Sequence, residues 1–236
     1  MVEKKKKKYV AIVLSAGSGK RMNSKVHKQY LNIQDRPVLY YSLKEFEDSA
    51  VDEIVLVVGK GEEEFCRKEI VEKYGISKVK TIVAGGKERY HSVFEGLKQA
   101  KDADYVLIHD GARPFINQDI IRRCMDEVQT YQACVVGMPV KDTIKIADED
   151  GYAKQTPDRK NVWMIQTPQT FSYQLIYEAY EEMLKSEDAT ITDDAMVLER
   201  VKGKKSKLIE GSYRNIKITT PEDLLIVDIY LQNPEK

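Results

Sequence analysis

Cysteine is scarce in this chain of 236 residues, which carries only Cys66, Cys124 and Cys134. An odd number, scattered without metal-ligand spacing, excludes a fully paired disulfide framework and points to a reducing compartment, so a cytoplasmic location is expected. Net charge is lacking as well, because 38 Lys and Arg balance 38 Asp and Glu. The balance removes any global pull toward nucleic acid or an anionic membrane, and local clusters must carry whatever anion binding there is. No apolar run approaches the ~20 residues that span a bilayer. The opening "MVEKKKKKYV" is basic but has no apolar stretch of the kind a secretory signal needs. With three histidines in the chain, no Ser-His-acid constellation can be assembled.

Two familiar glycine signatures are absent too. "LSAGSGKRM" (Leu14 to Met22) follows an apolar run and has the look of a phosphate loop. A P-loop would need glycine at Leu14 and Ser or Thr at Arg21, and a dinucleotide turn would need glycine at Met22. Both readings fail on spacing.

What is present is an alternation of β-branched apolar runs with segments of helical period. It predicts a three-layer, doubly wound α/β protein with a mostly parallel sheet. Strands are expected at Tyr9–Ser15, Glu53–Val58, Lys80–Ala84, Tyr105–Asp110 and Ala133–Val140, with helices at Val38–Ser49, Glu62–Tyr74, His91–Lys101 and Gln118–Tyr131. The strands are apolar throughout, as burial on both faces requires. "TTPEDLLIVDIYL" announces a last helix, with Thr220 as cap, Pro221 in the first turn and Asp223 completing a capping box. Residues 141–159 are polar and contain Asp150–Gly151 between two short extended stretches, which predicts a projecting hairpin. A single domain, residues 1–236, with 141–159 as an arm is the expected organisation.

Four segments can carry chemistry. Gly17 and Gly19 can bring backbone N–H groups to an anion, with Lys20 and Arg21 adding charge and "HKQY" (His27 to Tyr30) supplying a second basic site. Gly85 and Gly86 offer another close backbone approach, with Arg89 on the same rim; Ser92 either binds there or merely opens a helix. "LIHDGARPF" puts Asp110 at the carboxyl end of a buried strand with Arg113 close behind, a place where open α/β sheets bind ligands. Asp110 suits either a plain ion pair or Mg2+, a hard cation that takes carboxylate and phosphate oxygens; His109 reads as structural. In "TITDDA", Thr192 is a good N-cap, and Asp193 and Asp194 complement the helix dipole or form a metal pair. Lys217, in a short strand among apolar neighbours, invites an anion.

Taken in order, "AGSGKRM", "HKQY", "GGKERYHSV", "VLIHDGARPF", "PVKDTIK", "DR…W…QTPQTF", "TITDDA" and "NIKITTPEDL" closely resemble the 2-C-methyl-D-erythritol 4-phosphate cytidylyltransferases of the non-mevalonate isoprenoid pathway. The likeness runs from about Tyr9 to Leu231. It implies a nucleotide-diphospho-sugar transferase-like fold and a reaction of CTP with a polyol phosphate that releases pyrophosphate. By motif, Arg21 and Lys28 would stabilise the α-phosphate under attack, and Arg159 and Lys217 would orient the polyol phosphate. Ser15, Ala16, Gly17, Gly19, Lys20, Gly86 and Ser92 would surround the nucleotide. Asp110, also the Mg2+ ligand, would contact substrate with Arg113, Thr143, Thr167 and Thr192. The resemblance further implies a homodimer in which the arm delivers Thr143 and Arg159 to the neighbouring site. His27 departs from the family's common proline, and Ser15 and Gly111 from common alanines. Two rivals are a ribitol 5-phosphate cytidylyltransferase and a catalytically silent nucleotide-binding protein on the same fold.

Overall fold

The computed structural model describes residues 6–17, 27–186 and 190–233. Strand β1 (Tyr9–Ser15) is an interior strand of a seven-stranded sheet and shows how the layers form. Its side chains alternate between two cores. Ala11 and Val13 face a core with α1 (Val38–Asp48) and α4 (Gln118–Tyr131), built from Leu39, Leu43, Phe46 and Cys124. Val10 and Ile12 face α3 (Arg89–Gln99) and α5 (Tyr173–Ser186), among Val93, Leu97, Ile176 and Tyr180. Because both faces are covered, each buried Val, Ile, Leu or Phe here contributes about 1.5–3 kcal/mol of burial.

Parallel neighbours of β1 are β4 (Glu53–Val58) and β6 (Tyr105–Asp110), and β5 (Val79–Ala84) lies beyond β4. On the other side, β10 (Trp163–Ser172) runs antiparallel between β6 and β7 (Ala133–Pro139), and β11 (Lys207–Glu210) pairs parallel with β7 at the edge. A small hairpin of β2 (Asn32–Ile33) and β3 (Arg36–Pro37) leads into α1. The remaining helices are α2 (Glu63–Cys66), α6 (Asp194–Lys202) and α7 (Pro221–Gln232). No helix among the described residues is long and apolar enough to cross a membrane.

Several boundaries differ from expectation for physical reasons. The helix expected over Glu62–Tyr74 is α-helical only to Cys66 and continues with π-type bonding over Arg67–Glu72. Helix α3 starts at Arg89, two residues early, because Glu88 and His91 form a capping box. The N-cap of α6 is Asp193 rather than Thr192: the Met196 amide donates to the Asp193 carboxylate at 2.9 Å, one residue nearer the helix than Thr192 can reach. Lys217 is not in a strand. Its segment has no sheet partner and is docked by single bonds, from the Ile218 amide to the Ala112 carbonyl at 2.9 Å and from the Arg113 guanidinium to the Asn215 carbonyl at 2.7 Å. The cap of α7 is as expected, with the Asp223 carboxylate accepting the Thr220 amide at 2.9 Å.

Segment 141–159 projects as a hairpin of β8 (Ile146–Ala147) and β9 (Ala153–Gln155), every residue of both strands being exposed. Gly151 turns it with φ of +86°, a conformation L side chains resist. Apolar side chains stand in solvent along the arm and at its base, with Tyr152 74%, Met164 47% and Ile146 46% exposed.

Candidate active site

Strands β1, β5 and β6 end at one edge, and the loops that leave them enclose a cleft of about 310 Å³. Ser15, Ala16 and Gly17 form one wall, Gly86, Lys87, Glu88, Arg89 and Ser92 a second, and Asp110, Ala112, Lys28 and Lys217 the rest. The backbone is packed closely here. A Cβ on Gly85 would sit 2.4 Å from that of Ala16, so glycine lets the two walls touch. Ser92, in the first turn of α3, also serves the loop, its hydroxyl accepting the Gly86 amide at 3.1 Å. Buried Gln29 fixes the first wall by donating to the Ser15 carbonyl at 2.6 Å. The Ser15 hydroxyl has no hydrogen-bond partner among the described residues.

Charge concentrates around Asp110. Its Oδ2 lies 2.8 Å from Lys217 Nζ and 3.8 Å from Arg113 Nε, and its Oδ1 is 3.3 Å from Arg89 Nε. Burial alone would raise the carboxyl pKa, but Arg89, Lys217 and Arg113 together hold it well below the usual carboxylate range. The Asp110–Arg113 pair foreseen from sequence is therefore the longest of three contacts. Arg89 in turn grips Asp194 through two N–H groups, each at 2.8 Å. Three cations against two carboxylates leave the group net cationic.

Behind it, His109 is fully buried, with Nδ1 3.0 Å from the Thr167 hydroxyl, which also accepts the Asp110 amide at 3.1 Å. Burial pushes the imidazole down to about 4, so it is neutral at neutral pH. Beside Lys217, Lys28 Nζ donates to the Ile218 carbonyl at 2.7 Å. Its flanks are clamped by Glu62: Tyr30 Oη donates to Oε2 at 2.7 Å, and His27 Nδ1 is 2.6 Å from Oε1.

The structure thus gathers Ser15, Ala16, Gly17, Lys28, Gly86, Ser92, Asp110 and Lys217 around one cleft. Arg113 and Thr167 stand behind Asp110 rather than on its lining, while Thr192 opens onto a separate groove beside α6. Thr143 and Arg159 are exposed at the base of the arm and do not line the cleft of their own chain. Gly19, Lys20 and Arg21 lie outside the described residues. The pairing of Arg89 with Asp194, 105 positions away, escaped the sequence reading. A clue was available, because Asp193 alone suffices to cap α6 and leaves the second acid of "TDDA" without a local use.

A mostly parallel α/β sheet with a cationic cleft at its carboxyl edge, walled by the turns at Ser15 to Gly17 and at Gly86, defines a nucleotidyltransferase-type protein. The family described as 2-C-methyl-D-erythritol 4-phosphate cytidylyltransferase matches residues 9–233, and this chain belongs to it. It is 51% identical to the enzyme of that name from Lachnoclostridium phytofermentans, over 95% of this chain and 97% of that protein. Against the one from Lachnospira eligens the identity is 53%, over 94% and 98% of the two chains. Among solved structures, the 4-diphosphocytidyl-2C-methyl-D-erythritol synthase of Anaerococcus prevotii superposes with a TM-score of 0.85 at 38% identity, covering 96% of this chain and 97% of that one.

Proposed function

We propose that this cleft joins CTP to 2-C-methyl-D-erythritol 4-phosphate, giving 4-CDP-2-C-methyl-D-erythritol and pyrophosphate, as the family name describes. The observation that carries the reading is the net cationic group of Arg89, Arg113 and Lys217 on Asp110, with Lys28 held beside Lys217 at the Ile218 carbonyl, in a cleft with a close-packed glycine wall.

The nucleophile is an oxygen of the polyol phosphate, already ionised near neutral pH, so no general base is required. It attacks the α-phosphorus of CTP while the bond to the bridging oxygen breaks, and pyrophosphate leaves with that electron pair. What opposes the step is repulsion between two polyanions, and fixed cations lower that barrier. In this reading Arg21 and Lys28 stabilise the α-phosphate, Lys217 and Arg159 hold the polyol phosphate, and Ser15, Ala16, Gly17, Gly19, Lys20, Gly86 and Ser92 surround the nucleotide. Arg113, Thr143, Thr167 and Thr192 act on the substrate side.

Among the described residues no cluster of three His, Cys, Asp or Glu is arranged for a metal. Mg2+ commonly takes one or two carboxylates and completes its shell with phosphates and water, and Asp110 at the cleft would supply one, the ion taking an oxygen now paired with Lys217 or Arg89. When bound there, the ion would supply further positive charge to the triphosphate.

The arm is read as a clasp on a second copy of the chain. Exposed Tyr152, Ile146 and Met164 give it an apolar surface to bury, and the absence of Thr143 and Arg159 from their own cleft supports their delivery to a partner. The cytoplasm is the proposed location, consistent with three free cysteines. Pyrophosphate release, measured with CTP, UTP and ATP against methylerythritol phosphate and ribitol 5-phosphate, tests the assignment. Release restricted to CTP and methylerythritol phosphate is expected; a preference for ribitol 5-phosphate, or no turnover, would overturn it.

A further inference from the structure

Arg89 lines the cleft and holds two carboxylates from distant parts of the chain, Asp110 and Asp194. It is the first residue of α3, whose approach carries Gly86 and whose first turn carries Ser92. Two of its N–H groups engage both oxygens of Asp194 at 2.8 Å, a bidentate fork that fixes the plane of the guanidinium. Asp194 is itself immobile. It is wholly buried, accepts the Tyr180 hydroxyl at 2.5 Å, and its backbone amide is held by Gln169 Oε1 at 3.0 Å. Tyr180 is fully buried in the core under α3.

Anchored on that side, Arg89 presents Nε to Asp110 Oδ1 at 3.3 Å. The other oxygen of Asp110 holds Lys217 at 2.8 Å. A line of contacts therefore runs from Tyr180 through Asp194, Arg89 and Asp110 to Lys217. Its inner members are rigid, and its outer members are the groups that the proposed reaction uses. We propose that Arg89 is a positioning residue: held by buried Asp194 and Tyr180, it sets the orientation of Asp110 and, through Asp110, the place of the Lys217 ammonium.

This inference rests on the cytidylyltransferase reading for its kinetic consequence but not for its geometry, and two measurements keep them apart. The first is a double-mutant cycle on kcat with saturating CTP. Arg89→Lys keeps the charge and loses the fork, so misalignment of Asp110 should lower kcat roughly 10²-fold, the scale of a 1 Å displacement, with KM for CTP close to wild type. If Arg89 acts through Asp110, adding Arg89→Lys to Asp110→Asn should cost little more than Asp110→Asn alone. Fully additive losses would overturn the proposal, as would Arg89→Lys with wild-type kcat.

The second measurement needs no turnover. After reductive 13C-methylation of the lysines, the Lys217 resonance, assigned by its loss in Lys217→Arg, should shift in Arg89→Lys and shift less in Tyr180→Phe. An unmoved Lys217 signal in a cooperatively folded Arg89→Lys protein overturns the positioning role even if wild-type activity is as proposed. Conversely, an inactive wild type with a shifting Lys217 signal sinks the reaction and leaves the positioning intact.

Discussion

Charged residues meet in two quite different settings in this protein, the cleft and the outer face of α4. On α4, Arg122 reaches Asp119 at 2.6 Å, closer than any contact Arg89 makes, yet the two side chains are 65% and 59% exposed. In the cleft, Arg89 meets Asp194 at 2.8 Å, where the carboxylate is fully buried. Distance alone would rank the surface pair first. Solvent reverses the order, because water screens the exposed pair while the buried carboxylate depends on Arg89 and the Tyr180 hydroxyl in place of water. The difference separates charges that merely keep a surface wet from charges that hold a site in shape.

Removing Asp194 should break the comparison most sharply. Asp194→Ala leaves Arg89 without its anchor and Tyr180 without an acceptor, and should cost about 3–5 kcal/mol of stability, read from urea unfolding. A loss under 1 kcal/mol would mean that the buried pair behaves like a surface one. Next in size is Lys28→Ala, where loss of one electrostatic donor should lower kcat about 10²–10³-fold in the pyrophosphate assay with the fold intact by circular dichroism. Near-normal turnover would remove Lys28 from the site.

Half-buried Asp223 sits between the extremes. Burial would raise its pKa, but the amides and hydroxyls of Thr219 and Thr220 outweigh that and lower it. A carboxylate depressed in the folded state contributes stability that is present above its unfolded pKa and lost as pH falls through the folded value. Asp223→Ala should cost about 1 kcal/mol at neutral pH, and the gap between variant and wild type should close in acid. A constant gap would assign the effect to something other than ionisation. The smallest effect belongs to the surface pair: Asp119→Asn should change stability by about 0.5 kcal/mol or less, and a larger value would show that the α4 ladder is structural.

The same division explains what could be read from the sequence. Strands β1, β4 and β6 were legible to the residue because burial on both faces leaves an unbroken apolar run. Strand β10 was not delimited, because Gln166, Thr167, Gln169 and Thr170 are buried polar residues in the middle of it, and periodicity treats them as surface. Gln169 shows why they are there: its amide binds Asp193 and the start of α6, which no local spacing encodes. The cleft was legible where it is built from local turns, at Ser15 to Gly17, Gly86 and Asp110. It was illegible where long-range pairs build it, as with Arg89 and Asp194, or the Glu62 clamp on His27 and Tyr30.

The outward reach of the arm carries one more consequence. If Arg159 works in trans, no isolated chain holds a complete set of reacting groups, and catalysis becomes a property of concentration. Turnover per chain would then fall on dilution below the association midpoint. Mixing an Arg159→Ala chain with a Lys28→Ala chain, each impaired alone, would restore one working centre in every hybrid pair.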